Sequence, residues 1–473
     1  MKVRTRFAPS PTGFLHIGNV YSALIDFAFA KKHRGKFIIR IEDTDIKRYV
    51  KGAEEKIYQW LGWLGIKADE SPQEGGPYGP YRQSERLPLY QKYAEELIGK
   101  GYAYYCFCSP ERLEEIRKER RKQGLPPMYD RYCRKLSLEE ARKRIKKGEK
   151  YVVRMKIPDQ EKIIVPDLIR GEVVFESRVI DDQVLLKSDG YPTYHLAVVV
   201  DDHLMKITHI VRGEDWLSSA PKHILLYRYF GWKPPVLVHT ALIRNPDKSK
   251  LSKRQGHASL EWYMREGYLP EALINFLCLL GWSHPQEKDI FSFQEFISYF
   301  NLKDLSPVGP VFDLKKLDWM NGVYIRKKSN EELVQLIKPF VPNGLRTTLI
   351  NQTVSLIKDR LRKLSNYPDL VDFFIKEPKI DQKLLVQKGG RDKKLIEKQF
   401  EISLEALKKL TVWKAKNLER LFRDLAKENS WHIGKFFMAI RIALTGKTAT
   451  PPLFETMEIL GKEKTIKRLQ GSL

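Results

Sequence analysis

The first forty residues alternate between two hydrophobic periods. Residues 3–7 form a short strand-like run, and residues 20–33 (VYSALIDFAFAKKH) place apolar side chains at helical spacing, with Gly35 just past the end. Residues 36–41 (KFIIRI) read as a second strand. Strand, helix and strand in so short a stretch predict the opening of a parallel α/β sheet, because parallel strands need a crossover connection. Helices are predicted at about 53–64 and 86–100, with a Gly/Pro-rich loop over 71–80 between them. The character then changes. Residues 106–150 hold three cysteines and a strongly charged helix (ERLEEIRKERRKQG), and 151–190 carry the strand-like runs YVVRMKI, EVVFES and QVLLK. Residues 101–190 therefore read as an α+β insertion in an α/β core spanning 1–100 and 191–258. The sheet is expected to resume at 194–201 (YHLAVVVD) and 207–212, with helices at 216–230 and 260–281. Residues 259–325 make a helical region. Beyond it, 326–473 is almost wholly helical (NEELVQLIKPF, NQTVSLIKDRLRKL, NLERLFRDLAKE), with Gly389-Gly390 marking a split near 388 between two small bundles.

Composition sharpens this. The chain has 473 residues, 42% of them apolar, with 22 Tyr, 22 Phe and 9 Trp, so it can bury several cores. The 84 Lys and Arg against 59 Asp and Glu leave a net charge of +25, which favours a polyanionic partner. No apolar stretch approaches the roughly 20 residues that span a bilayer, and Met1 to Arg6 has no signal-peptide core. No membrane role is expected. Four cysteines in so long a chain are no disulfide framework, which points to the reducing cytoplasm.

Two segments carry phosphate chemistry. Residues 6–19 lie between the first strand and the first helix. Pro9, Pro11 and Gly13 keep the loop extended, Gly18 gives a ligand room at the backbone, and the following helix offers free N–H groups to an anion. His16 and Asn19 add hydrogen-bond donors. The second segment, Lys250-Leu251-Ser252-Lys253-Arg254, lies 234 residues further on (250 minus 16). Clustered cations on a turn-rich loop suit a triphosphate, where charge develops as pyrophosphate leaves. Gly446-Lys447-Thr448 imitates the end of a P-loop, but Arg441 stands where the upstream glycine belongs.

Along essentially its whole length the sequence resembles the bacterial glutamyl-tRNA synthetases, class I aminoacyl-tRNA synthetases. The resemblance rests on residues 6–19, Ile41-Glu42-Asp43-Thr44-Asp45, 81–96 (YRQSERLPLYQKYAEE), 187–203 (KSDGYPTYHLAVVVDDH), 212–216 (RGEDW) and 250–254. It implies a Rossmann-type parallel-sheet catalytic domain, an inserted acceptor-stem-binding domain, a stem-contact helical domain and an all-α anticodon-binding region. The family's HIGH-type motif is His-Ile-Gly-Asn here, with Asn19 in place of the second histidine, and its KMSKS-type motif is Lys-Leu-Ser-Lys-Arg. The implied reaction activates L-glutamate with ATP and Mg2+, then transfers it to the 3' end of tRNA(Glu), with tRNA bound before activation. The implied catalytic residues are His16, Lys250 and Lys253. The implied ATP site adds Gly18, Asn19, Trp216, Ser252 and Arg254. The implied glutamate pocket comprises Arg6, Ala8, Ser10, Glu42, Tyr194 and Arg212. The chemistry agrees, since a dicarboxylate needs fixed cations and its ammonium needs an anion.

Some relatives hold zinc with a set like Cys106, Cys108 and Cys133, plus a fourth ligand. Two residues past the third cysteine stands Lys135, which is no usual ligand, leaving Tyr129 or Tyr132 as substitutes. Three plain thiols are the alternative, and Cys278 reads as core. In the helical region Lys358, Arg360, Arg362 and Lys363 are candidate RNA contacts, and Tyr367 and Trp413 are candidate stacking platforms. A monomer is expected. A glutaminyl relative would carry a β-barrel anticodon region instead of helices.

Overall fold

The structure is a computed structural model that describes every residue except Met1, Phe14, Lys250, 252–258, 343–344 and Leu473. The chain divides into two compact units. The first comprises Met1–Tyr263 and Leu273–Asp313, the second Met264–Ala272 and Leu314–Leu473.

In the first unit, strands β1 (Arg4–Phe7) and β2 (Lys36–Ile39) pair in parallel through helix α1 (Ile17–Lys32), the crossover predicted from the sequence. The chain continues through α2 (Ala53–Trp63), α3 (Leu87–Gly99), β3 (Ala103–Cys106), α4 (Pro110–Lys122), α5 (Leu138–Lys146), β4 (Val152–Met155), β5 (Lys162–Asp167), β6 (Gly171–Glu176), β7 (Val184–Leu186), α6 (Tyr194–Leu204), β8 (His209–Gly213), α7 (Ala220–Phe230) and β9 (Val236–Thr240). Strands β8 and β9 are parallel, β9 meets β5 in parallel, and β6 closes the edge antiparallel to β5. Thr208 N donates to Arg4 O at 2.9 Å, so β1 lies beside β8. The backbone thus links β2, β1, β8, β9, β5 and β6 in that order. The connection leaves β1 for β2 on one side, and β8 lies on the other. Such a reversal of strand order is where open α/β sheets bind ligands, at the carboxyl ends of the strands.

Three expectations change. Residues 194–201 are the helix α6, not a strand. Leu196 to Asp202 are all buried, so the run is apolar on every side and its period could not separate helix from strand. The helix expected at 260–281 breaks into α8 (Leu260–Arg265) and α9 (Pro270–Cys278). Between them Gly267 has φ +73°, and a Cβ there would lie 2.9 Å from the Leu364 backbone nitrogen. Strands β5 and β9 went unpredicted. Pro166 masks β5, since proline normally demotes a strand. Through β5 and β6, part of the 101–190 segment belongs to the same sheet as β8 and β9. The rest forms the antiparallel sheet β3-β4-β7, whose Tyr105, Met155 and Leu185 share a core with α3, α6 and α7.

The last α-helix of the first unit is α10 (Phe293–Tyr299), and the second unit has helices and connecting loops but no strand among its described residues: α11 (Leu314–Lys327), α12 (Asn330–Ile337), α13 (Thr347–Ile357), α14 (Tyr367–Ile375), α15 (Gln382–Gly389), α16 (Lys393–Lys409), α17 (Ala415–Glu428), α18 (Ile433–Thr445), α19 (Leu453–Leu460) and α20 (Lys462–Gln470). Side chains on both sides of residue 388, from Val354 to Phe400 and Phe436, form one continuous apolar core. Gly389 is buried, and a Cβ there would stand 2.9 Å from Ile396 and 3.0 Å from Ala439. It serves close helix packing. Gly446 has φ +71° and ends α18, and Lys447 is tied to Asp372 at 2.7 Å, so the P-loop imitation is a helix terminus.

Candidate functional site

A cavity of about 730 Å³ opens at the carboxyl ends of β1 and β8, beside the start of α1. That size is ordinary for a small-molecule site. Of the residues expected to hold glutamate, all six line it: Arg6, Ala8, Ser10, Glu42, Tyr194 and Arg212. Asn19 and Trp216 line it too. Trp216 is 42% exposed, with its ring centroid 4.5 Å from that of Tyr194.

The local fold explains these placements. Arg6 is on β1 and Arg212 on β8, so adjacent parallel strands deliver both cations to one end of the sheet. Tyr194 opens α6, and Glu42 follows β2. Beneath them is a buried ionic layer. Arg6 Nε pairs with Asp202 at 3.1 Å. Arg40, wholly buried, pairs with Asp202 at 2.7 Å and Glu42 at 3.0 Å. Asp201 accepts from Gln83, Arg86 and Tyr90 at 2.7–2.9 Å. Burial pushes the Glu42 carboxyl up from its ordinary pKa, against the pull of Arg40. Burial alone would also raise Asp202, but Arg6 and Arg40 hold it below the usual carboxylate range. Asp26 lines the cavity from α1 with neither carboxylate oxygen hydrogen-bonded among the described residues.

At the start of α1, His16 is the N-cap. Its Nδ1 accepts from Gly18 N at 3.1 Å, and Asn19 Oδ1 accepts from His16 N at 3.3 Å, a reciprocal capping box. With Nδ1 accepting, the neutral ring carries its proton on Nε2. Asn19 commits its oxygen to the cap, and the Gly18 amide, expected to face a ligand, is taken by the His16 ring. The expected partners Lys250, Ser252, Lys253 and Arg254 lie outside the described residues. Their flanks are described. Leu251 N donates to Ile243 O at 3.2 Å, and Ser259 forms an antiparallel bridge with His16. The chain on the far side of the second motif therefore returns to the first.

Five residues around the site escaped the sequence reading: Arg40, Asp202, Asp167, His239 and His223. The Asp201-Asp202 pair at the end of an apolar run was the available signal. The others are single residues on strands or helices whose meaning depends on neighbours.

The cysteine cluster lies apart from this cavity. Cys106, Cys108 and Cys133 place their sulfurs within 4.8 Å of one another, with Cys108 and Cys133 at 3.6 Å. Tetrahedral zinc with Zn–S of about 2.3 Å requires sulfurs about 3.8 Å apart, so the spacing fits. The Tyr129 hydroxyl sits 3.4 Å from Cys106 Sγ and 3.3 Å from Cys108 Sγ. Tyr132 instead is 60% exposed beneath the Arg112 guanidinium. Of the two tyrosines, only Tyr129 stands at the thiols. Hydrogen bonding from Cys133 draws the Cys106 thiol below its ordinary pKa.

In the second unit Tyr367 is wholly buried with its hydroxyl on Thr353 at 2.9 Å, and Trp413 donates to Met457 O at 2.9 Å. Tyr367 is therefore not presented as a stacking platform, whereas Trp413 is half-buried. Lys363 pairs with Glu266 at 2.6 Å and Lys358 donates to Lys328 O, whereas Arg360 and Arg362 are exposed.

Residues 2–319 match the family model for tRNA synthetases class I (E and Q), catalytic domain, and residues 332–473 match an anticodon binding domain. The glutamate–tRNA ligase of Thermus thermophilus is 48% identical, with 100% of both chains covered. The chain belongs to the glutamate–tRNA ligases. The ligase of Acidothermus cellulolyticus is 45% identical over 99% of this chain and 95% of its own. A crystal structure of a glutamate tRNA ligase from Elizabethkingia meningosepticum, in complex with its amino acid, has a TM-score of 0.91 at 38% identity, covering 100% of this chain and 99% of that one. Membership in the ligase family accounts for a class I sheet followed by a helical anticodon-binding unit.

Proposed function

We propose that the cavity between β1 and β8 activates L-glutamate with ATP and transfers it to the 3' end of tRNA(Glu). The chain is an ATP-dependent glutamate–tRNA ligase. One observation carries the site reading: two arginines, a tyrosine and a glutamate converge on one cavity that Leu15 and Asn19, on either side of the His16 cap, also line. Arg6 and Arg212 take the substrate carboxylates and Glu42 its ammonium, a donor set matched to an amino dicarboxylate. The α-carboxylate attacks the α-phosphate in line. His16 Nε2–H, Lys250 and Lys253 neutralise the charge that gathers as pyrophosphate departs. Gly18, Asn19, Ser252, Arg254 and Trp216 complete the ATP site. Magnesium carried in with ATP would supply further screening of the phosphate charge there. The terminal ribose hydroxyl of tRNA then attacks the adenylate carbonyl, and AMP leaves.

The His16–Ser259 bridge supports a shared site for the two motifs. An anticodon unit without strands among its described residues supports the glutamyl over the glutaminyl type. Cys106, Cys108 and Cys133, with the Tyr129 hydroxyl as fourth donor, would hold zinc as a structural tie in the insertion. Unpaired thiols suit a reducing cytoplasm, where the chain works as a monomer without a membrane. No described helix is long and apolar enough to cross one.

The test is ATP–pyrophosphate exchange driven by glutamate. Exchange is expected with tRNA present and not without it. Silence under both conditions would overturn the catalytic reading in favour of a binding-only protein.

A further inference from the structure

Arg212 is the penultimate residue of β8, lines the cavity and is 7% exposed. Its guanidinium has five hydrogens, and three are committed. Nε donates to His239 Nε2 at 3.0 Å. Nη1 donates to the Tyr194 hydroxyl at 3.0 Å and to His223 Nδ1 at 3.2 Å. Nη2 is buried and has no partner among the described residues.

Arginine cannot accept, so these contacts dictate the tautomers around it. His239 Nε2 must be the acceptor, which puts its proton on Nδ1, 2.7 Å from Asp167 Oδ2. Asp167 is itself pinned by the backbone N–H groups of His239, Ile169 and Arg170, each at 3.0 Å. His223 Nδ1 must likewise accept. Its proton then sits on Nε2 and points to His195 Nδ1 at 3.1 Å. Burial pushes the pKa of both His223 and His239 down, in keeping with neutral rings.

We infer that Asp167, His239 and His223 are positioning residues that lock Arg212 so that only its Nη2 edge is left for a carboxylate of the substrate. A rigid fork loses little freedom when the ligand arrives, and the ligand chemistry is acceptor-only because the edge offers only N–H groups. This rests on the cavity being the glutamate site. None of the three positioning side chains needs to touch the substrate.

The experiment compares His239→Leu, which removes the acceptor, with His239→Gln, which keeps an acceptor and a donor. In tRNA-dependent exchange, the leucine variant is expected to raise the glutamate KM about ten-fold, a change of ~1.4 kcal/mol. The ATP KM should stay within about two-fold, and His239→Gln should recover the glutamate KM to within about three-fold of the parent. A purely structural histidine would move both KM values together or only the melting temperature, and either result overturns the inference. His239→Asn is too short to span Asp167 and Arg212 and carries the same expectation as leucine, so a leucine variant that fails to fold leaves the inference refutable. Arg212→Ala separates the two levels. An unchanged glutamate KM there sinks the pocket reading. A raised KM there, with His239→Leu unchanged, overturns only the positioning role.

Discussion

Asp26 is a carboxyl group in α1 that is 1% exposed and has neither oxygen hydrogen-bonded among the described residues. Burial raises its pKa well above the ordinary value, only partly opposed by Arg6. The folded state therefore holds a proton that the unfolded chain releases near pH 4, and stability from this residue falls as pH rises from about 4 toward the folded pKa. Asp26→Asn removes that penalty. Thermal melts should show the variant more stable than the parent at pH 7, by on the order of 1 kcal/mol, with the gain vanishing by about pH 4. A pH-independent difference would mean that Asp26 ionises normally in the fold. The same layer shows what was readable at single residues. Arg6, Glu42, Tyr194 and Arg212 were legible because long ordered motifs surround them. Arg40, Asp167 and His239 were not, because their roles come from partners that are distant in sequence, such as Asp202 for Arg40 and Arg212 for His239.

At the scale of the element, the start of α1 serves two ends. His16 caps the helix through Nδ1, and we propose that its Nε2–H serves the reaction. Asparagine is among the best N-caps, whereas alanine loses about 1 kcal/mol. His16→Asn should therefore melt close to the parent and His16→Ala below it, while single-turnover adenylate formation falls by roughly 10²–10³ in both. A normal rate in His16→Asn would reduce the imidazole to a cap. Elements were legible where the apolar period was clean, as in α1, α3 and the helices of the second unit. They were misread where burial is complete on all sides. The α6 run YHLAVVVD looks like a strand because three consecutive valines favour extended backbone, but the α3 and α7 surfaces cover it as a helix.

At the scale of the molecule, the net charge of +25 predicts a strongly salt-dependent association with tRNA. Filter binding should show the logarithm of affinity falling linearly with the logarithm of salt, by at least about ten-fold between 50 and 200 mM. The glutamate KM should change little, because Arg6 and Arg212 are buried beyond effective screening. A salt-independent tRNA affinity would detach the charge from that role.

The sequence by itself determined the class of the fold, the existence of a nucleotide site and the amino dicarboxylate chemistry. Local period, turn residues and contiguous motifs encode those properties directly. Only the tertiary structure decided which atoms are spoken for. β1 lying beside β8 brings Arg6 and Arg212 to one cavity, a connection across two hundred residues that no local pattern records. The packing of β9 against β8 then sets His239 against Arg212 Nε, while Nη2 is buried without a partner among the described residues. Hydrogen-bond saturation is a property of neighbours in space. Its motif places Arg212 in the expected pocket, but which of its hydrogens are already taken is decided only in the fold.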